Sequence, residues 1–289
     1  MRSDSDRREQ RSVLITGCSS GIGYCLAQGL RQQGYRVFAC ARKPADVVRL
    51  KDEGFESLRL DLDDPGSIDS AVEELLKRTD GKLFALINNG AYGQPGAVED
   101  LSRETLRRQF ETNVFGTMEI TNRLIPVFRA QARGRIIQIS SVLGFVCLAY
   151  RGAYNATKYA LEALSDTLRL ELRGSGICVS LVEPGPIMSR FRENAYIAFK
   201  NNINVEASAH RKTYAALERR LAGQGSEPPF TLAPEAVLKK VTHALEARHP
   251  KVRYRVTVPT HFFAVLKRVL PASWVDGFLL SASGTGTRA

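Results

Sequence analysis

The sequence has little that would mark a metalloprotein, a disulfide scaffold or a membrane span. Its four histidines all lie beyond residue 209 and share no metal-ligand spacing, so no metal site is expected and no catalytic role falls to them. Its five cysteines, Cys18, Cys25, Cys40, Cys147 and Cys178, form no Cys-x-x-Cys pair, and four of them sit in or beside apolar runs. They read as buried reduced thiols of a cytoplasmic protein. No stretch of 18 or more uninterrupted apolar residues exists, which argues against a transmembrane helix. The opening MRSDSDRREQR is too charged to hold the apolar core of a signal peptide, and residues 1–11 are expected to form a flexible lead-in.

What is present is an ordinary globular composition, 289 residues with 44% hydrophobic and 25% charged, long enough for one large α/β domain. The formal charge of +11 raises the question of a nucleic-acid partner. From Ile187 onward, 16 Lys and Arg stand against 7 Asp and Glu, so most of the excess belongs to the last third. That segment has no helix-turn-helix, zinc-finger or single-strand-binding signature, and nucleic acid is not expected as a partner. A solvated basic face, or attraction to acidic lipid or another anionic surface, accounts for the charge.

Short apolar runs alternate with helical patterns: SVLITG (12–17), YRVFACAR (35–42), SLRLDL (57–62), LFALINNG (83–90), RIIQISS (135–141) and ICVSLVEPG (177–185). Near-continuous hydrophobicity suits parallel strands covered on both faces. The βαβ repetition predicts a doubly wound Rossmann fold, a single domain over 12–260 with a mainly parallel seven-stranded sheet. The seventh strand is expected at VRYRVTVPT (252–260), after a helix over 234–248, and residues 187–232 are expected to form a helical lid. An amphipathic segment over 261–280 and a flexible tail over 281–289 complete the chain.

After the first strand stands TGCSSGIG. Gly17, Gly21 and Gly23 there let the turn close, let a dinucleotide's pyrophosphate approach the backbone, and place that anion at a helix N-terminus. The second strand ends in Ala41, Arg42 and Lys43, with no acid to accept hydrogen bonds from an adenosine ribose. A guanidinium grips a phosphate bidentately and Ser19 can add a donor, so NADP(H) is expected over NAD(H). Further on, YNATK puts Tyr154 and Lys158 on one helical face. A phenol titrating near 10 is a sluggish acid–base group at neutrality, and a neighbouring ammonium lowers that value.

The G-x-x-x-G-x-G spacing is the form used by the short-chain dehydrogenase/reductase superfamily, and the sequence resembles that family from Ser12 to Thr260. The resemblance implies cofactor contacts from the turn residues Gly17, Ser19, Ser20, Gly21, Ile22 and Gly23, and from Asp61 and Leu62 at the adenine. It implies the same for Asn89 and Gly90, and for Pro184, Gly185, Ile187 and Ser189. The sequence reads NNGA where the family usually has NNAG, and PGPIMS replaces P-G-x-x-x-T, so Ser189 supplies the hydroxyl usually given by threonine. Ser141, 13 residues before Tyr154, matches the catalytic serine that holds the substrate oxygen, with Ser140 as its alternative. Asn113, in the fourth helix, matches the catalytic asparagine that anchors a relaying water. With Tyr154 and Lys158, which also touch the nicotinamide ribose, these complete a tetrad.

Leu143, Phe145, Val146, Leu148 and Tyr150, with Phe191, Tyr196, Phe199 and Tyr214 of the lid, are expected to line an apolar pocket. The expected reaction is NADPH-dependent reduction of an apolar aldehyde or ketone, of the long-chain aldehyde, retinaldehyde or oxosteroid class. That range follows from similarity to the retinol and hydroxysteroid dehydrogenase branch and its bacterial aldehyde-reductase relatives. Oxidation of the alcohol at the same site is the alternative, and a non-catalytic NADP(H)-sensing or scaffold protein comes last. The resemblance implies a homo-oligomer, a dimer or tetramer. The C-terminal segment reads as a cover for the substrate mouth, a subunit contact or a peripheral membrane contact.

Overall fold

The computed structural model describes residues 11–223 and 229–283. Nearly all of the expected lead-in, the middle of GQGSEPPF and the residues after 283 lie outside that range. The apolar runs form seven strands: β1 (Ser12–Ile15), β2 (Arg36–Ala41), β3 (Glu56–Arg59), β4 (Ala85–Asn88), β5 (Gly134–Ile139), β6 (Ile177–Glu183) and β7 (Arg253–Arg255). Their order is β3-β2-β1-β4-β5-β6-β7, and every neighbouring pair is parallel. The seventh strand is far shorter than the run 252–260 that was expected, because Pro259 sits in the first turn of a helix that begins at Val258.

The crossovers are α1 (Gly21–Gln32), α2 (Pro44–Asp52), α3 (Pro65–Arg78), α4 (Arg103–Phe110), α5 (Gly116–Ala130), α6 (Gly152–Glu171) and, before β7, α9 (Glu235–Glu246). The period-two alternation along each strand sorts side chains to two layers. Val13, Ile15 and Val37 pack against Leu26 and Leu30 of α1 and Val241 of α9. Leu14 and Phe38 pack against Leu75 of α3 and Phe128 of α5. The chain runs outward from β1 to β3 and then returns to lay β4 on the other side of β1. Their carboxyl ends therefore flank a crevice, the place where such sheets bind ligands.

Between β6 and α9 lie α7 (Phe191–Asn202) and α8 (Arg211–Leu221), which share a third apolar cluster with Ala97, Leu101 and, from α6, Ala153. An isolated parallel bridge between Ile187 and Leu232 closes this excursion at both ends. The chain finishes with α10 (Val258–Val269) and α11 (Ala272–Ser283), three residues past the expected end of the amphipathic segment. This hairpin packs on the loop between Ser141 and Tyr154: Lys267 Nζ donates to the Phe145 carbonyl, and Ala149 N–H donates to Ser283 Oγ at 3.1 Å. Among the described residues, no helix is long and apolar enough to cross a membrane. Cys18 and Cys40 are buried, Cys25 and Cys178 half-buried, and Cys147 is exposed, against the expectation of uniform burial.

A buried ionic cluster ties β6, β7 and α6 together. Arg253 Nε lies 3.1 Å from Glu183 Oε1, and Arg253 Nη2 lies 3.0 Å from Glu162 Oε2 and 2.6 Å from Asp166 Oδ2. Burial pushes the Glu183 carboxyl up to about 7, with the like charge of Glu162 adding to it and Arg253 and Arg255 opposing. Removing the cation leaves the buried Glu162 without an ion-pair partner and Glu183 with only Arg255, at 3.4 Å. Arg253→Met is expected to cost roughly 3–5 kcal/mol, read as a lowered urea midpoint; an unchanged midpoint would show that the cluster contributes nothing net.

Candidate active site

The glycine turn after β1 works through close backbone approach. Gly17 and Gly21 have φ of +71° and +59°, the left-handed region that glycine enters freely. A Cβ on Gly23 would stand 2.2 Å from the Gly17 carbonyl oxygen, and one on Gly17 would stand 2.7 Å from the Gly90 Cα. Ser20 is the N-cap of α1 with no side chain bonded to the helix amides, and no acid occupies the first turn. Open amides at the start of α1, in a turn whose glycines let backbone pack directly on backbone, fit a bound pyrophosphate.

A clasp holds this turn to the end of β4. Thr16 Oγ1 accepts from the N–H of Asn89 and of Gly90, at 3.0 and 2.8 Å. In return Asn89 Nδ2 donates to the carbonyls of Thr16 and Gly17, both at 3.0 Å. The Asn89 side chain is thus committed to the turn, and what it offers a cofactor is position and backbone. The Leu62 side chain lies beside Gly90, where an added Cβ would meet Leu62 Cδ1 at 3.0 Å. Asp61 donates its N–H to Ser67 Oγ at 3.0 Å and accepts from the Asp63 N–H, which fixes the end of β3.

Arg42 is exposed at the end of β2 and has no hydrogen bond or ion pair among the described residues. Arg49 reaches the same rim and donates to the Ser19 carbonyl at 2.8 Å. On the other side of the crevice, Ser189 comes close enough to Gly21 that an added Cβ there would meet Ser189 Cβ at 2.9 Å. Pro184 accepts from the Val142 N–H at 2.8 Å, Gly185 packs on Thr257, and Ile187 carries the bridge to Leu232. Every residue expected at the cofactor therefore lies along one carboxyl-end rim of the sheet.

The four chemistry-bearing residues stand on the same rim. Asn113 is not in a regular helix but in a π-helical turn, Glu111–Phe115, between α4 and α5. Such bulges recur at functional sites because they turn a side chain out of the helical register. Its Oδ1 accepts from the Tyr92 N–H at 3.1 Å, and its Nδ2 donates to the Tyr92 carbonyl at 2.9 Å and to Thr157 Oγ1 at 3.1 Å. Lys158 is buried and donates through Nζ to the Ile139 carbonyl at 2.7 Å, with Nζ 5.7 Å from the Tyr154 ring centre. Ser141 caps a short 3-10 turn, its Oγ accepting from the Leu143 N–H at 3.1 Å.

The titration of Tyr154 departs from the expectation that Lys158 lowers it. Burial dominates and pushes the phenol up to about 12, while a hydrogen bond with Ser141 and the charge of Arg151 pull the other way. Burial also acts on Lys158 and pushes its ammonium down to about 8, with Glu162, one turn along α6, opposing. In this state the phenol holds its proton at neutral pH and the lysine is charged only below about pH 8.

The lid contributes less to the pocket than its aromatic content suggested. Phe199 and Tyr214 are wholly buried in the cluster that the lid shares with Ala97, Leu101 and Ala153, where Tyr214 is bonded to Asp100 and to the Ala97 N–H. Tyr196 donates to Glu218. Phe191 does reach the site, edge-on to Tyr154 at 5.2 Å between ring centres, over Gly93, where a Cβ would meet Phe191 Cζ at 2.7 Å. Leu143 and Val146 are core residues. Leu148 and Tyr150 line a cavity of about 450 Å³ with Val98, Asn155 and Tyr159, on the flank of α6 away from Tyr154 and Lys158. Thr16, Tyr92 and Thr157 were missed in the sequence, since a hydroxyl or a carbonyl one residue from a motif carries no signal of its own.

Comparison with known proteins agrees with this geometry. The family profile described as short chain dehydrogenase matches residues 11–198. An uncharacterized oxidoreductase of Escherichia coli, YbbO, is 45% identical over 93% of this chain and 94% of that protein. Human retinol dehydrogenase 5 is 34% identical over 92% of this chain and 87% of its own length. The crystal structure of a short-chain dehydrogenase from Streptomyces avermitilis superposes with a TM-score of 0.74 at 27% identity, covering 92% of this chain and 96% of that one.

Two outcomes are expected from the site itself. Gly23→Ala should weaken nicotinamide-dinucleotide binding by roughly tenfold or more, measured by calorimetry, because its Cβ has nowhere to go. Because Lys158 loses its charge near pH 8, kcat/KM should fall as pH rises through that value; a flat profile to pH 10 would show that the ammonium is not required.

Proposed function

The chain belongs to the short-chain dehydrogenase/reductase family, oxidoreductases that work with a nicotinamide cofactor, and we propose that it uses NADPH to reduce an aldehyde or ketone with much apolar surface. The observation that carries this reading is the half-buried Tyr154 phenol, its ring centre 5.7 Å from Lys158 Nζ, on one rim with Ser141 and the glycine turn. The bound nicotinamide supplies the hydride. The Ser141 hydroxyl and the Tyr154 phenol hold the substrate oxygen, and as negative charge grows there the phenol donates its proton. The phenolate left behind sits beside the Lys158 ammonium, whose charge it favours in turn.

Asn113 fastens the Tyr92 backbone to α6 through Thr157, and its Oδ1 keeps a second lone pair for a relaying water, the role the resemblance implies. Arg42, exposed and unpaired among the described residues, supports NADPH, since nothing else at the end of β2 engages its guanidinium. Phe191 against Tyr154 supports an apolar substrate such as a long-chain aldehyde, retinaldehyde or an oxosteroid.

The test is NADPH oxidation against a panel of aliphatic aldehydes, retinaldehyde and oxosteroids, with NADH in parallel. Turnover of apolar members with NADPH is expected; silence across the panel, with NADPH still bound, would overturn the reading. Tyr154→Phe should lower kcat by roughly a hundredfold or more while NADPH binding persists. Arg42→Asp should move the preference from NADPH toward NADH, read as the ratio of the two kcat/KM values.

A further inference from the structure

A helix on a protein's surface turns its apolar stripe toward the core. Helix α10 does the reverse. Val258, Phe262, Val265 and Val269 follow one another at steps of four, three and four, which puts them on one stripe. All four are exposed, Val265 by 60% and Val269 by 68%, whereas Thr260 and Ala264, on the opposite side, are the residues that α10 buries.

Helix α11 continues this face. Trp274 and Phe278 stand one turn apart, exposed by 65% and 47%, while Val275 turns inward and is buried. The rings of Phe262 and Phe278 meet edge-on with centres 6.0 Å apart, so the two helices present one joined apolar surface. Seven of the seventeen exposed large apolar side chains among the described residues lie in 258–280. A patch so concentrated marks a surface that is covered in use.

The inner side of the hairpin is already occupied. Lys267 Nζ donates to the Phe145 carbonyl and to the Tyr159 hydroxyl, the latter at 3.1 Å, and Ser283 Oγ accepts from the Ala149 N–H. Thr257 and Thr260 close on Gly185, where a Cβ would meet their hydroxyl oxygens at 2.1 and 3.0 Å. Whatever covers the outer side therefore comes to lie next to the cofactor rim and the loop that follows Ser141.

Charge selects the occupant. Within α10 and α11 the cations are Lys267 and Arg268, and the one acid is Asp276. Arg268 and His261 are exposed along one edge of the apolar stripe. Arg220 of α8 adds a further cation at the end of α11, through its bond to the Ser283 carbonyl at 2.9 Å. A second copy would bring the same cations against these, on a chain that carries +11. An anionic lipid surface attracts them, and a tryptophan is favoured where an apolar phase meets a wet one.

We propose that the outer face of α10 and α11 docks on an anionic bilayer surface, lying along it with the apolar stripe among the headgroups. Neither helix is long and apolar enough to cross. The docking stands apart from the reductase reading; where that reading holds, the bilayer also presents the apolar carbonyl to the rim.

The experiment mixes the full chain with vesicles of phosphatidylcholine, alone or with phosphatidylglycerol added. Binding is read by flotation and by the emission of Trp274, the one tryptophan of the chain. The protein is expected to float with the anionic vesicles, with Trp274 emission shifted to the blue and quenched by brominated acyl chains. Neutral vesicles and added salt should each weaken binding several-fold. Val265→Asp should lower the partition constant by roughly tenfold or more and Arg268→Gln by roughly fivefold, with NADPH binding unchanged in both. No flotation, equal flotation with neutral vesicles, or binding unmoved in Val265→Asp overturns the proposal. A dimer that Val265→Asp splits in sedimentation, without flotation, overturns it too and gives the face to a second copy. None of these readouts uses turnover, so the docking and the reductase reading stand or fall separately.

Discussion

The clasp between Thr16 and Asn89 is the contact from which the rest of the site is built. A parallel sheet has to splay its connections where the strand order reverses, and that leaves a crevice between β1 and β4. Four hydrogen bonds of 2.8–3.0 Å, two given to one threonine hydroxyl and two given by one amide, set the width of that crevice. With the width fixed, Gly17 lies against Gly90 and Gly23 against Gly17, so neither tolerates a side chain.

Helix α6 carries the opposing electrostatic strain. Along one of its faces run Tyr154, Lys158 and Glu162, a phenol that burial keeps protonated, an ammonium that burial discourages, and a carboxylate that burial raises. Each is tolerable because of the next: Glu162 supports the charge of Lys158, and Arg253 supports Glu162. A carboxyl raised as Glu183 is contributes stability that is complete below its ordinary 4.5 and is lost as pH rises through about 7, and Arg253 and Arg255 limit that loss.

Much of this was legible in the sequence, for identifiable reasons. Short continuous apolar runs alternating with helical patterns suit strands covered on both faces, so the layered parallel sheet followed from them. The glycine turn and the Tyr154–Lys158 pair could be read because their spacing is dictated by backbone geometry, whereas Ser141 entered only through the family resemblance. The π turn at Asn113 could not, since it differs from an α-helix only by one residue of slip in an unbroken helical pattern. Phe199 and Tyr214 were misplaced for a related reason: aromatic content does not distinguish a pocket wall from the core of a small lid. The sign of the Tyr154 shift depends on depth of burial, which no local motif records.

The parallel bridge between Ile187 and Leu232 gathers the two ends of the excursion between β6 and α9. The chain leaves the sheet and returns to it at nearly one point, and the apolar cluster that α7 and α8 share with Ala97, Leu101 and Ala153 is distinct from the two layers that flank the sheet. Residues between those anchors can lengthen, shorten or change character while β6 still feeds α9 and β7 in the same register. The sheet and the segment laid over its carboxyl edge are thereby free to evolve at different rates within one polypeptide.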